Sequence, residues 1–183
     1  MDSIVIAGET ESQFRYNEQK IPVYKELFSN VYDRIKEKHP DVQIGNSFAL
    51  HHVINKNLEH IVTDLAIGDF VAFSYTPTDT TNEINKTPEE SITDLNKIFE
   101  IIPNKKIGFF EISWSTSDFV NGDSTSQQNF IKELFNFYAQ NESEIEFLTW
   151  YRYVDQEVAL VLLKIKKLVI NITGGVGVPV LVQ

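Results

Sequence analysis

The chain has 183 residues, 16 Lys and Arg against 26 Asp and Glu, a formal net charge of −10 and no cysteine. Its 42% hydrophobic and 12% aromatic content supports a buried core and excludes disorder as its main state. An acidic surface without a basic stripe repels phosphate backbones, so no nucleic-acid partner is expected, and the lack of Cys excludes a disulfide framework, a thiolate metal site and a cysteine nucleophile.

Residues 3–7 form an apolar run with no basic residue ahead of it, which reads as a strand rather than a secretory signal. The compartment is left unknown by these features. Gly8 and a polar stretch through Lys20 follow. Pro22 then opens a helical pattern in which Val23, Leu27, Val31 and Ile35 recur every four residues, and His39-Pro40 stops it. A second strand is expected over 41–48, and a weaker helix over 53–66 with Ile54, Leu58, Ile61 and Leu65 as its apolar set.

Residues 70–75 make the third strand. After a long polar loop, Thr87-Pro88-Glu89-Glu90 combines an N-cap hydroxyl, proline at the first helical position and the capping-box Glu. Ile92, Leu95, Phe99 and Ile102 continue that helix until Pro103. A fourth strand over 106–112, a polar loop, a helix carrying Phe130, Leu134 and Phe137 or Tyr138, and a fifth strand over 145–151 complete the pattern. The most apolar segment, residues 158–172, contains three lysines and is shorter than the ~20 residues of a membrane span, so no membrane partner is expected.

Strands alternating with helices imply parallel pairing through crossover connections, because a hairpin cannot join parallel neighbours. Two architectures satisfy this: an open doubly wound sheet, and part of a (β/α)8 barrel. The segments after strands (8–20, 76–87, 113–125) are long and polar, and those before strands are short. In both architectures function collects at the carboxyl ends of the strands, and the long loops mark that end as the working face.

Two carboxylates stand there: Glu9 after the first strand and Glu111 within the fourth. An acid embedded among apolar strand residues is costly unless it is compensated, which a functional role would explain; emergence into solvent at the strand end is the alternative. Tyr75, Trp114 and Trp150 also sit at strand ends. Aromatic faces suit the C–H faces of sugar rings, although packing of the core is the ordinary use of such residues. Paired carboxylates with aromatic platforms suggest a carbohydrate site. The histidines show no zinc spacing, and neither a metal nor a cofactor is expected.

Several of these segments carry a family resemblance. Ile4-Val5-Ile6-Ala7-Gly8-Glu9-Thr10-Glu11-Ser12-Gln13-Phe14 resembles the end of the fourth barrel strand of clan A retaining glycoside hydrolases, and Lys106–Trp114 resembles that clan's seventh-strand segment. Residues 70–77 are similar to the sixth strand, and Phe147-Leu148-Thr149-Trp150-Tyr151 to the eighth. The resemblance implies a partial TIM barrel of about five parallel strands with four intervening helices over residues 1–157, and a divergent tail, the degenerate last helix, over 158–183. It further implies Glu9 as general acid/base and Glu111 as nucleophile in retaining hydrolysis of β-linked oligo- or polysaccharides. Tyr75 would hydrogen-bond the nucleophile, Trp150 would floor the sugar subsite, Trp114 would form a wall, and Asn46 joins them as a substrate-binding residue.

Two departures bear on activity. Gly8 stands where the clan has the Asn that holds the sugar 2-hydroxyl, and the first three βα units of a barrel, which takes about 250 residues in full, are expected to be missing. Glu11 is a rival for Glu9, but the match of Ser12 and Phe14 favours Glu9. A non-catalytic carbohydrate-binding protein or gene fragment and a doubly wound small-molecule binder are the other readings. Self-association through the exposed sheet edges is the further partner mode that an incomplete barrel allows.

Overall fold

The computed structural model describes residues 3–151. It contains five strands, β1 (Ser3–Val5), β2 (Gln43–Ala49), β3 (Phe70–Tyr75), β4 (Lys106–Ile112) and β5 (Ile145–Trp150). All neighbours pair in parallel, in strict chain order. The sheet curls into a half-barrel with helices between its strands. A doubly wound sheet of flavodoxin type needs a non-sequential strand order, so that alternative is overturned. The tail expected over 158–183 lies outside the described residues.

The helices are α1 (Thr10–Phe14), α2 (Ile21–Lys38), α3 (Leu50–Lys56), α4 (Glu59–Leu65), α5 (Pro88–Ile101) and α6 (Ser124–Gln140). The start of α5 forms as its sequence predicts: Thr87 Oγ1 accepts from Glu90 N at 3.2 Å and Glu90 Oε2 accepts from Thr87 N at 2.8 Å. Such a box satisfies two backbone donors that the first helical turn leaves unpaired. α6 also buries its expected face, Phe130, Leu134 and Phe137. The single helix expected over 53–66 is instead two, because Asn57 takes a left-handed conformation at φ 53° and ends α3.

α2 spans the expected residues but buries a different face. Val23 and Leu27 are 68% and 59% exposed, and Phe28 is 3% exposed. The stripe turned inward is aromatic: Tyr24, Phe28 and Tyr32 follow one another with ring centroids 6.4 and 6.2 Å apart, and Phe14 of α1 meets Tyr24 at 5.2 Å. Both stripes repeat every four residues, so spacing alone does not choose between them. The aromatic stripe covers more surface and its hydroxyls find acceptors, Tyr24 at Asn46 Oδ1 (2.6 Å) and Tyr32 at Asp69 Oδ1 (2.7 Å). α1 lies in a stretch whose polarity predicts a loop, and its five residues give too weak a period to detect.

Alternation along the strands sets the two faces of the sheet. Phe48, Val71, Phe73, Tyr75, Ile107, Phe109 and Ile112 face the helices and join Leu50, Ile61, Leu65, Leu95, Ile98 and Phe130 in the main core. The opposite, concave face carries Gly45, Ser47, Phe70, Ala72, Ser74, Gly108 and Phe147, in register across β2 to β5. Here Phe70 and Phe147 meet edge to face at 5.5 Å. Two glycines make room for these rings: a Cβ on Gly108 would lie 2.3 Å from the Phe147 ring, and one on Gly45 would lie 2.3 Å from the Phe70 carbonyl oxygen.

The obstacle at Gly45 is backbone and cannot rotate away. Gly45→Ala should therefore destabilise the fold by roughly 1–3 kcal/mol. Gly8→Ala, whose Cβ would meet only Ser47 Oγ at 3.9 Å, should be close to neutral in the same denaturant titration; equal effects of the two substitutions would contradict this packing.

Candidate active site

Ser47, near the end of β2, organises the turn that follows β1. Its backbone N–H donates to Ala7 O at 3.0 Å and its Oγ donates to the same oxygen at 3.2 Å. The Glu9 N–H donates to Ser47 Oγ at 3.2 Å, and Thr10 Oγ1 donates to Ser47 O at 2.7 Å. Held in this way, Glu9 adopts φ 46° and ψ 51°, a left-handed conformation uncommon for a non-glycine residue. Its side chain is exposed, and its Oε1 accepts from Ser74 Oγ at 3.3 Å.

Glu111 reaches the same face through a local irregularity. Simple alternation from Ile107 and Phe109 would point Glu111 toward the helices. The β3–β4 register instead passes from Phe73↔Phe109 directly to Ser74↔Glu111 and Tyr75↔Ile112, with Phe110 as the extra residue. A bulge of this kind reverses the side-chain parity beyond it. Ile112 thereby enters the core and Glu111, half-buried, lies beside Ser74 on the concave face. One serine thus has Glu9 on its hydroxyl and Glu111 at the adjacent register position, about 4.8 Å away by ordinary strand spacing.

The loops after β3 and β4 are tied to each other around this end of the sheet. Ser113 N donates to Tyr75 O at 3.1 Å, Thr76 Oγ1 and Ser113 Oγ are 2.7 Å apart, and Ile84 N donates to Val120 O at 2.9 Å. One shallow cleft of about 310 Å³ lies beside the turn after β1, between Ala7, Thr10, Gln13, Asn17, Lys20 and Tyr24, and one of about 370 Å³ is lined by Ser3, Val5, Phe110, Glu146, Phe147 and Thr149. Neither is lined by Glu9 or Glu111. Among the described residues no group of three or more His, Asp or Glu is placed to hold a metal ion, and no helix is long and apolar enough to cross a membrane.

The other expected site residues are placed differently. Tyr75 is 1% exposed and its hydroxyl donates to Asp94 Oδ2 on α5 at 2.9 Å, so the expected hydrogen bond to Glu111 is corrected to a bond within the helix layer. Asp94 is also paired with Lys86. Trp114, 2% exposed, packs on Phe130 of α6 at 5.1 Å and is corrected from a subsite wall to a core residue. Asn46 is fully buried on the helix side; its Oδ1 accepts from Tyr24 and its Nδ2 donates to Leu65 O at 3.1 Å, which leaves it a structural bridge rather than a sugar ligand. Trp150 is partly buried, in register with Ile112 and 6.2 Å from Phe130. Tyr75, Trp114 and Trp150 thus each pack on one helix ring, Phe130.

Residues that the sequence reading passed over complete the surroundings. Ser74 had no signal in the sequence, since its importance comes from register. Glu11, read as a rival of Glu9, is fully buried: its Oε2 accepts from Ala49 N at 3.1 Å and its Oε1 from Ser12 Oγ at 2.9 Å, with His52 Nδ1 at 3.3 Å from Oε1. Burial pushes its carboxyl above the ordinary value, against the opposing hydrogen bonds from Ala49 and Ser12, and the nearby charge of Glu9 pushes the same way. His51 lies against His52 with ring centroids 4.3 Å apart and the planes tilted by 52°. Burial, then the charges of His52, Lys56 and Lys86, push His51 down to about 4.

No family model matches the chain, and none of the curated proteins compared with it does. Among solved structures, the crystal structure of β-glycosidase BGL167 is similar, with a TM-score of 0.52 at 13% sequence identity over 76% of this chain. The match covers 40% of that protein, so the chain spans less than half of its length. At this identity the likeness is one of fold: the five-stranded half-barrel corresponds to part of a glycosidase-like barrel.

The His51 shift has a defined pH signature. A histidine held neutral when folded stabilises the protein above its unfolded value of 6.5, and that contribution is lost as pH falls from there toward about 4, by up to ~3 kcal/mol. Glu11, shifted upward, acts in the opposite sense, so the His51 part is read as a difference: His51→Gln should flatten the fall in denaturant stability between about pH 7 and pH 4. Equal slopes for the two proteins would refute it. Separately, Glu9→Gln should lower the Glu11 titration midpoint followed by carboxyl ¹³C NMR, since a like charge that raises it is removed.

Proposed function

We propose that the chain carries the paired carboxylates of a retaining β-glycosidase, with Glu9 as general acid/base and Glu111 as nucleophile. The observation that carries this reading is Ser74, which donates to Glu9 Oε1 and occupies the register position next to Glu111 on the same face. Retaining hydrolysis requires two carboxyl groups about 5–5.5 Å apart, one to protonate the leaving oxygen and one to attack the anomeric carbon. Glu9 is exposed at the strand end, where it can meet a glycosidic oxygen, and Glu111 is half-buried. The left-handed backbone at Glu9 adds support, because strain of this kind is retained where a side chain must be aimed.

In this reading Glu111 attacks the anomeric carbon as Glu9 gives its proton to the departing oxygen. A glycosyl ester to Glu111 forms and the aglycone leaves as an alcohol. Glu9, now ionised, takes a proton from the incoming water, which opens the ester and restores both groups. The substrate class is a β-linked oligo- or polysaccharide.

A second reading, sugar binding without turnover, is favoured by Gly8 and by the burial of Tyr75 and Trp114 against Phe130. A set of aryl β-glycosides separates the two. In the catalytic reading Glu9→Gln and Glu111→Gln each lower kcat by about 10²-fold or more, and ¹H NMR shows the β-anomer released first. Inversion of the product, or undiminished hydrolysis by either variant, would sink it; binding of the glycosides with no hydrolysis by the unsubstituted chain would select the second reading.

A further inference from the structure

We propose that Glu11 is a positioning residue for Glu9: together with His52 it clamps the Glu9–Ser12 turn to the end of β2, and so sets where the Glu9 carboxylate stands relative to Glu111. The inference deepens the reading of Glu9 as acid/base and rests on it for its catalytic consequence, but not for its geometry.

Three observations support the clamp. Glu11 is a carboxylate with no exposed surface, two residues after Glu9. Burying such a group without compensation is among the costlier changes a fold can make. Its oxygens are therefore engaged: Ala49 N at 3.1 Å joins it to the end of β2, His52 Nδ1 at 3.3 Å joins it to α3, and Ser12 Oγ at 2.9 Å closes the turn locally. Removing the acceptor would leave the buried Ala49 N–H without its partner, a loss larger than that of an exposed bond.

The location of these contacts gives the clamp its effect. Ala49 is in register with Ser74, the residue that donates to Glu9. Ser47, two residues before Ala49, holds the Glu9 N–H and the Thr10 hydroxyl. The turn from Glu9 to Ser12 is thus fixed to β2 at both ends, by Ser47 at its start and by Glu11 at its finish. A left-handed residue such as Glu9 relaxes readily to ordinary backbone unless its surroundings over-determine it. Glu11 supplies the second of the two fixed points. The His51 ring packs against that of His52, tilted at 52° with centroids 4.3 Å apart.

NMR of the full chain with ¹³C-labelled glutamate side chains reads the clamp without requiring turnover. In Glu11→Ala the Glu9 Cδ resonance should shift, and the amide hydrogens of Glu9 and Ala49 should exchange about tenfold faster or more, while that of Phe109 in the sheet centre keeps its rate. Glu11→Gln retains an oxygen of the same reach for the Ala49 N–H and should restore both readouts, which loss of bulk stability alone would not predict. Should Glu11→Ala fail to fold, His52→Phe removes only the imidazole arm and should displace the same Glu9 resonance to a smaller extent. An unmoved Glu9 resonance in whichever variant folds overturns the proposal, even if Ala49 loses protection. With an aryl β-glycoside as probe, Glu11→Ala should lower kcat about tenfold with KM unchanged, and Glu11→Gln should recover it. No hydrolysis by the unsubstituted chain would count against the catalytic reading alone, and the Glu9 resonance would still decide the clamp.

Discussion

The pleat of a parallel sheet permits each residue only one of two faces, and a single extra residue reverses that choice for everything beyond it. In this half-barrel the extra residue is Phe110. Because β4 absorbs it between Phe109 and Glu111, Ile112 takes the core position beside Tyr75 and Glu111 takes the concave position beside Ser74. The candidate site follows from this step. With uninterrupted alternation Glu111 would face the helix layer, where an ionised carboxylate would need a partner among apolar side chains. Bulges recur near functional sites because they re-aim one side chain at little cost to the rest of the ladder.

The concave face is joined by small hydroxyl residues rather than by large polar ones. Ser47 and Ser74 sit at adjacent strand ends, one holding the backbone around Glu9 and the other its carboxylate. Serine suits this place because Gly45, Ala72 and Gly108 on the same face leave room only for short side chains beside the Phe70 and Phe147 rings. Apart from Phe70 and Phe147, the larger apolar side chains named in the core stand on the outer side of the sheet, where the helices cover them. The packing requirement of the interior and the polarity of the working end thus meet in the same residue type.

The helix side accounts for Tyr75 and Trp114, which are buried there rather than presented as platforms. Tyr75, Trp114 and Trp150 are each within reach of Phe130, at 6.4, 5.1 and 6.2 Å between ring centroids. Burying such rings against one another stabilises the seam between α6 and the sheet by more than their area alone. Asn46 is likewise occupied, as the buried bridge between Tyr24 on α2 and the end of α4. These four residues hold in place the strands that carry the carboxylates.

Much of the fold could be read from residue patterns, because its causes are local. The strand and helix order follows from hydrophobic period, the start of α5 from the Thr87–Glu90 box, the buried face of α6 from Phe130, Leu134 and Phe137, and the position of Glu9 and Glu111 at strand ends from the run of long polar loops. The remaining features arise from contacts between distant segments, which leave no local trace. The inward turn of Tyr24 and Phe28 in place of Val23 and Leu27, the union of Tyr75 with Asp94, and the burial of Glu11 against Ala49 and His52 were decided by packing. The side of the sheet on which Glu111 stands belongs with them, since the parity of a strand is fixed by the register of its neighbour as well as by its own alternation of residues.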